Sequence, residues 1–237
     1  MVTLLLRLCG PMQSWGTRSR FSERDTELEP SKSGVIGLVA AALGRPRSEP
    51  LDDLAAVRLG VRVDREGIVM RDYHTAGAGT GIIRASGALS KDAQLSNRYY
   101  LAGADFLVGL ESHDRPLLET IERALRQPVW QLSLGRKAFV PSIPVYLPGG
   151  GLRPLPLEDA LDAEPWPLEP RVGPPPGSGA HRLRLVLETT FDDPSGERRV
   201  DQPLGAAFER RTFGPRTIRH GLSTEKEYGN VPEPLAT

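Results

Sequence analysis

The hydrophobic pattern at the start of the chain predicts a strand, a helix and a second strand. Residues 3–9 form a short apolar run that is typical of a buried strand. Residues 31–43 carry a broad apolar stripe at helical spacing, and Gly44 followed by Pro46 is a typical helix end. Residues 56–63 alternate apolar side chains with arginines, which indicates a half-buried strand.

A second set of elements follows a segment of different character. Residues 64–98 are glycine-rich and polar, and they predict a projecting hairpin or flexible arm. Strand character returns at 99–111, an amphipathic helix with Asp114 as its N-cap is predicted at 114–126, and a short strand at 129–134. The order β-α-β, arm, β-α-β predicts an α+β fold of the ferredoxin-like type, an antiparallel sheet with helices on one face.

The last third of the chain has a different composition. Residues 148–180 are rich in proline and glycine and predict an irregular crossing that contains one helical piece, "LEDALDA". Strand character resumes at 182–190, and the basic segment "FERRTFGPRTIRHG" indicates further strands or loops. We therefore expect a ferredoxin-like body in residues 1–147 and a Pro/Gly-rich crossing with a smaller β-rich C-terminal part in residues 148–237.

Composition limits the class of protein. The 237 residues are 39% hydrophobic and 25% charged, which is ordinary for a globular protein. Neither an apolar run of about 18 residues nor a basic leader is present, so we predict no membrane span and no signal peptide. The one cysteine, Cys9, allows no intrachain disulfide, and we expect a cytoplasmic protein.

The net charge is zero, but the basic residues are clustered. The clusters are Arg18, Arg20 and Arg24; Arg136 and Lys137; and Arg210, Arg211, Arg216 and Arg219. Such segregation permits a basic face that binds a polyanion. Composition alone favours the alternative, in which these are scattered, solvated arginines.

The segment "SKSG", residues 31–34, lies where the first helix is predicted to begin. The first N–H groups of a helix are unpaired and attract anions, and Lys32 would add a full charge. A nucleotide-binding loop would need a glycine-rich approach, whereas the approach here is "DTELEP". A phosphate site other than a nucleoside triphosphate is one hypothesis; the other is that Ser31 and Ser33 only cap the helix and Lys32 is a surface residue.

The loop "GPMQSWGTRSRF", residues 10–21, should lie near that helix start. Gln13, Trp15, Arg18 and Arg20 offer an amide, an aromatic ring and two guanidinium groups, which suit unpaired bases and their backbone. The alternative for Trp15 is that it fills the edge of the core.

Catalytic and metal chemistry find little support. The four histidines show no C-x-x-C or H-E-x-x-H spacing and there is no G-x-S-x-G motif, so we expect no metal and no cofactor. Metal-free RNA cleavage needs a base, an acid and a cation, and Tyr73, His74 and Lys137 supply those types. A structural role for the neighbouring tyrosine and histidine is the more usual alternative.

Five segments, taken in order, resemble the CasD family. They are "LLLRLCGPMQSWG", "PSKSGVIGLVAAALG" with the "SRF" before it, "YYLAGADFLVGLE", "QPVWQLSLGRKAFVPSIPV" and "RRTFGPRTIRHG". The resemblance implies a subunit of type I-E CRISPR Cascade, an antiviral interference complex, that caps the 5′ end of the guide RNA. It also implies the RAMP superfamily, with an RRM-like (ferredoxin-like) body and a thumb-like β-hairpin, here residues 64–98.

The resemblance further implies partners. The body would bind the 5′ handle of the guide RNA, the thumb would lie beside the first backbone subunit, and the large subunit would dock nearby; target DNA is reached through the complex, and no membrane is involved. A separate endonuclease processes the precursor in type I-E systems, so binding without cutting is expected. Relatives in type I-C systems cut, so a metal-independent endoribonuclease for CRISPR precursor RNA is the alternative.

Under this resemblance, the phosphate at the helix start would belong to the RNA backbone. The RNA contacts would then include the loop residues Gln13, Trp15, Arg18 and Arg20, the helix start Ser31, Lys32, Ser33 and Gly34, the pair Arg136 and Lys137, and the C-terminal Arg216 and Arg219.

Overall fold

Short helices and a larger number of strands follow one another along the chain. The computed structural model describes residues 1–18, 22–77, 79–83, 86–166 and 180–227. The helices in this part are α1 (Lys32–Leu43), α2 (Asp52–Ala55), α3 (Arg115–Arg126), α4 (Leu157–Ala163) and α5 (Ala207–Arg210). The strands are β1 (Val2–Cys9), β2 (Met12–Gln13), β3 (Glu23–Arg24), β4 (Arg58–Arg65), β5 (Ile68–Ala76), β6 (Ile82–Ile83), β7 (Leu89–Ser90), β8 (Gln94–Ala102), β9 (Asp105–Ser112), β10 (Leu152–Arg153), β11 (Ala180–Thr189), β12 (Glu197–Pro203) and β13 (Phe213–Glu227). Among these described residues no helix is long and apolar enough to span a membrane.

The main sheet is antiparallel, and its described strands lie in the order β10-β1-β9-β4-β11-β13-β12. Its register places apolar side chains in rows: Leu6 pairs with Val108, Val108 with Val61, and Val61 with Val186. Because side chains on paired positions share a face, each such row gives a helix a continuous apolar surface to pack on.

The two faces of this sheet are covered by different helices. Leu6 of β1 lies in the larger buried cluster, with residues of α1 and α3 such as Val39 and Ile121. Leu5, the preceding residue, points the opposite way and packs with Leu161 of α4. The alternation of a buried strand therefore separates α1 and α3 from α4, and the structure is a mixed, sheet-rich α/β arrangement.

The glycine-rich segment contains a long hairpin, as the sequence predicts. β5 pairs with β8 in a continuous antiparallel register from Ile68↔Ala102 to Ala76↔Gln94. The small β6–β7 pair lies beyond this ladder, and β2 and β3 pair with the other edge of β8.

The predicted strand 99–111 is two strands. Gly103, with φ of +69°, turns the chain between β8 and β9, and its N–H donates to the carbonyl of Pro11. Since this left-handed conformation suits glycine, the "AGAD" sequence permits the chain to leave the hairpin sheet and enter the main sheet.

The predicted strand at 129–134 is wrong. The N–H groups of Val129 and Trp130 donate to the carbonyls of Ala42 and Ala41 in the last turn of α1, where Ala41 also accepts from the N–H of the C-cap Gly44. The segment therefore completes a helix end, and the two-residue strand β10 takes the position beside β1.

The C-terminal strands continue the main sheet beyond β4. β11 pairs with β4 over Leu187↔Gly60 to Arg184↔Val63 and carries β13 and β12 on its other side. The predicted helical piece is α4, and much of the predicted crossing, residues 167–179, lies outside the described residues.

Candidate nucleic-acid interface

Three arginines meet beside the middle of the β5–β8 ladder, and we call Arg24, Arg98 and Arg136 the basic cluster. Arg24 of β3 pairs in register with Arg98 of β8, and Arg98 with Asp72 of β5. Arg136 Nη2 donates to the carbonyl oxygens of Tyr99 at 2.8 Å and Arg24 at 3.3 Å. The three guanidinium-bearing residues are half-buried, so they are held in place and still reach solvent.

The positive charges of this cluster act on one another. Burial lowers the pKa of Arg136 below its usual range, and the charges of Arg98 and Arg24 lower it further, against Asp72 and Asp25. Arginine stays charged under these conditions, so the free chain holds like charges close together. An RNA phosphate would relieve that repulsion and accept hydrogen bonds from the guanidinium groups.

A tight turn delivers Arg136 to the cluster. Gly135 has φ of +89°, and a Cβ there would lie 1.8 Å from the carbonyl oxygen of Ser14. Hydrogen bonds fix the turn on either side, from Ser14 N–H to Leu134 O and from Phe139 N–H to Arg136 O. The Arg136 guanidinium also lies 5.5 Å from the centre of the Phe139 ring. Only glycine permits this close approach.

Two further predicted contacts lie beside the basic cluster. The backbone N–H of Arg18 donates to Asp25 Oδ2 at 2.9 Å, next to Arg24, and the Arg18 side chain is exposed. Lys137 is exposed and follows Arg136 directly. The structure thus brings Arg18, Arg136 and Lys137 to one region, whereas Arg20 lies outside the described residues.

The start of α1 is buried and bonded to other parts of the chain, which corrects the expectation of an open phosphate position. Ser31 is the N-cap and accepts a hydrogen bond from the N–H of Gly34 at 3.3 Å. The N–H of Lys32 donates to Asp201 Oδ2 at 2.7 Å, and Lys32 Nζ donates to Glu188 Oε1 at 2.9 Å. Lys32 is 1% exposed, and burial, only partly offset by Glu188, lowers its pKa. A carboxylate of this chain therefore occupies the place proposed for phosphate.

Gln13 and Trp15 belong to the core, so the core alternative applies. Gln13 Nε2 donates to the carbonyls of Leu8 and Ala104, and its Oε1 accepts from Trp15 Nε1 at 3.2 Å. Trp15 is 1% exposed and packs so closely on Gly34 that a Cβ there would lie 2.7 Å from the indole ring. These contacts explain the "SKSG" motif as part of the helix start and the core. Ser33 is half-buried, and its contact with RNA stays a prediction.

The C-terminal arginines are separate from the basic cluster. Arg216 is buried and donates to both oxygens of Asp201, at 2.6 and 2.9 Å, so it is unavailable to RNA in this fold. Arg219 is partly exposed and forms an ion pair with Glu158 of α4. Their clustering in the sequence reflects positions on β13, where they face different partners.

Two of the three residues that could supply RNA cleavage lie apart on the hairpin. Tyr73 and His74 are consecutive on β5, so their side chains point to opposite faces of the hairpin. His74 Nδ1 lies 3.5 Å from Asp72 Oδ2, on the face that also carries Arg98. Tyr73 is 63% exposed on the other face. A phosphate that lies on one face of the hairpin therefore contacts only one of these two side chains.

The sequence prediction missed Arg24 and Arg98 as site residues. Arg24 is close to Arg18 and Arg20 in the sequence, and only the pairing of β3 with β8 distinguishes it from them as a site residue. Arg98 is the last charged residue before the apolar run "YYLAG", and this position at the base of a predicted hairpin was the available signal.

Comparison with protein families identifies the chain. The model of the family described as CRISPR-associated protein (Cas_Cas5) matches residues 3–219. The CRISPR system Cascade subunit CasD of Escherichia coli (strain K12) is 33% identical over 157 residues, which cover 61% of this chain and 69% of that protein.

Solved structures agree with this match. A structure described as a Cas protein is 46% identical with a TM-score of 0.76, over 97% of this chain and 99% of that one. A chain of a CRISPR RNA-guided surveillance complex is 36% identical with a TM-score of 0.75, over 94% of this chain and 90% of that one. The resemblance to CasD is confirmed, and the chain belongs to the Cas5 family of CRISPR-associated proteins.

Proposed function

We propose that this chain is a non-catalytic subunit of a type I-E CRISPR Cascade complex that binds and caps the 5′ handle of the guide RNA. The relatives support a Cascade subunit, since one is named as CasD of Cascade and another belongs to an RNA-guided surveillance complex. In that complex the chain joins the large subunit to the backbone subunits and reaches target DNA through them.

The architecture supports an RRM-like body for this role. The strand order β10-β1-β9-β4, with α1 and α3 on one face, follows the ferredoxin-like plan of two βαβ units. The hairpin β5–β8 leaves this body between β4 and β9 and is the thumb. The basic cluster then lies beside the middle of the thumb ladder, where β3 meets β8.

The basic cluster is the observation that carries the proposal. Arg24, Arg98 and Arg136 repel one another in the free chain, and a phosphodiester backbone neutralises them. Single-stranded handle bases can contact the exposed aromatic and polar groups of the neighbouring hairpin, while their phosphates contact the guanidinium groups. Arg18 and Lys137 extend the positive surface on either side.

The geometry of the hairpin supports binding without cutting. Metal-free cleavage requires an acid and a base on opposite sides of one phosphate. Tyr73 and His74 project from opposite faces of β5. The basic cluster offers three arginines, which stabilise a phosphate and do not move its protons.

One RNA experiment tests the proposal. A labelled RNA that carries the CRISPR repeat is incubated with the purified protein in excess EDTA, and native and denaturing gels report binding and cutting. We expect a shifted, intact RNA; a discrete cut within the repeat would overturn the non-catalytic assignment.

Salt dependence then locates the site. Arg98→Gln and Arg136→Gln should each weaken binding and reduce the slope of log K against log salt by about 1. Arg115→Gln is the matched control because its exposed guanidinium is paired with Glu119 on α3 and it is not a predicted RNA contact. Equal slopes for all three variants would exclude the basic cluster as the RNA site.

A further inference from the structure

The outer edge of the hairpin is an unprotected β-strand. β5 has nine residues and pairs within the described chain only with β8, so every second residue turns its N–H and C=O away from the ladder. Such a row of backbone groups is a template for another strand.

The edges of the main sheet are protected by features that β5 lacks. β10 has two residues, and β12 has a register irregularity between Val200 and Gln202, ends at Pro203 and packs against α1. β5 is long, contains no proline, and its pairing with β8 has no register shift. Short strands, bulges and prolines are the usual means of blocking strand addition, so their absence from β5 is specific to this edge.

The side chains of β5 suit an apolar strand. Ile68 is 69% exposed and Met70 45% on one face, and Val69 is 49% exposed and Tyr73 63% on the other. A strand added to this edge would cover parts of both faces at once, because its own side chains alternate. The exposed apolar area then becomes buried between neighbouring strands.

Charge decides what kind of strand fits. Arg71 and Asp72 give β5 no net positive charge, which disfavours an RNA backbone along this edge. Asp72 faces Arg98 and His74, whereas Arg71 has no ion pair among the described residues. The missing partner is a carboxylate on the added strand.

A second copy of β5 fits less well. In an antiparallel pair of identical strands related by a twofold axis, directly opposed side chains lie on the same face of the sheet. Odd-numbered residues therefore oppose odd-numbered residues, and even-numbered residues oppose even-numbered ones. The central registers then set Arg71 opposite Arg71 or Asp72 opposite Asp72, and like charges directly opposite destabilise a pair.

We propose that β5 accepts a β-strand from another protein subunit, an apolar extended segment with an Asp or Glu that pairs with Arg71. This inference rests on the proposed function, because the Cascade assembly supplies the partner. Main-chain hydrogen bonds provide affinity in this type of recognition, and the Arg71–carboxylate pair sets the register.

Residue-resolved hydrogen exchange tests the strand addition. The samples are the chain alone, the chain with guide RNA, and the complete complex with guide RNA and the other Cascade subunits. The outward amides of β5 should slow by about tenfold or more in the complete complex only, while the amides bonded to β8 change little. Unchanged exchange in an assembled complex overturns the inference, and slowing by RNA alone assigns this edge to RNA instead.

A charge reversal tests the partner's chemistry. Arg71→Glu should lower incorporation into the purified complex, compared with Lys91→Glu, an equal charge change on the exposed segment between β7 and β8. Guide-RNA binding by both variants, measured separately, reports the proposed function. Equal incorporation of the two variants overturns the pairing with Arg71; a wild-type chain that neither binds RNA nor joins the complex overturns the proposed function itself.

Discussion

The backbone N–H of Lys32 donates a 2.7 Å hydrogen bond to Asp201, which sets a carboxylate from β12 at the positive end of α1. Asp201 also accepts two hydrogen bonds from Arg216, and it is 1% exposed. One buried carboxylate thus connects a helix of the N-terminal half with two C-terminal strands. This ion pair joins the C-terminal strands to α1, in addition to the pairing of β11 with β4.

Asp201→Asn should strongly destabilise the protein. The substitution leaves Arg216 buried without its main counter-charge, and removal of one partner of a buried ion pair typically costs about 3–5 kcal/mol. Urea unfolding followed by circular dichroism measures the free energy of unfolding. Asp53→Asn is the control: Asp53 pairs with Arg45 at the surface, and we expect a loss below about 1 kcal/mol. Similar losses for both variants would contradict the role of Asp201.

The same carboxylate should make stability sensitive to acid. Burial acts to raise the pKa of Asp201, but the hydrogen bonds and charge of Arg216 outweigh it and hold the pKa below its usual range. The pKa of Glu29, which pairs with Arg184 and Arg199, is lowered in the same way. A carboxyl with a lowered pKa in the folded state stabilises fully above its unfolded pKa of about 4, and this contribution declines as pH falls towards the folded value.

Urea midpoints measured between pH 7 and pH 3 check this dependence. The wild type should lose stability below about pH 4, and the difference between wild type and Asp201→Asn should narrow over the same range. A constant difference at all pH values would show that ionised Asp201 is not the source of the stabilisation.

Gly34→Ala should destabilise α1 although alanine is the better helix former. A Cβ at this position would lie 2.7 Å from the buried indole of Trp15, and overpacking of a core costs about 1–3 kcal/mol. Gly37→Ala in the same helix is the matched control, because its Cβ would meet only the ring end of Phe208 at 3.2 Å. We expect a near-neutral change there, and thermal unfolding of both variants makes the comparison. If the two variants unfold at the same temperature, the Trp15 ring moves away from the added Cβ without a cost in stability.

The local parts of the fold were predictable from the sequence, and the parts set by distant residues were not. Ser31, Gly44 and Asp114 mark helix ends through contacts with their own helices, so α1 and α3 could be located closely. The burial of Lys32 depends on Glu188, which is 156 residues away, and no local pattern announces it.

The candidate site divides in the same way. Arg136 could be predicted because it follows Gly135 in a recognisable turn. Arg98 joins it only through the register of β8 with β3 and β5, which the weakly patterned sequence of the hairpin does not specify. The exposed residues of the region were therefore easier to propose than the geometry that unites them.

Gly135→Ala should weaken RNA binding and reduce its salt dependence. The new Cβ would lie 1.8 Å from the carbonyl oxygen of Ser14, so the turn must move away and carry Arg136 with it. Displacement of one guanidinium from the basic cluster should lower affinity for the repeat RNA and reduce the salt slope by about 1, as loss of the arginine itself would.

Gly149→Ala provides the control for backbone strain. Gly149 also has a positive φ, +76°, but a Cβ there meets nothing within 4 Å. Alanine in a left-handed conformation costs about 1–2 kcal/mol at either position, so the two variants share that loss. Binding titrations at several salt concentrations should therefore separate them: Gly149→Ala keeps the wild-type slope and Gly135→Ala does not. If both keep it, the turn does not hold Arg136 against the RNA, and the basic cluster must be formed without it.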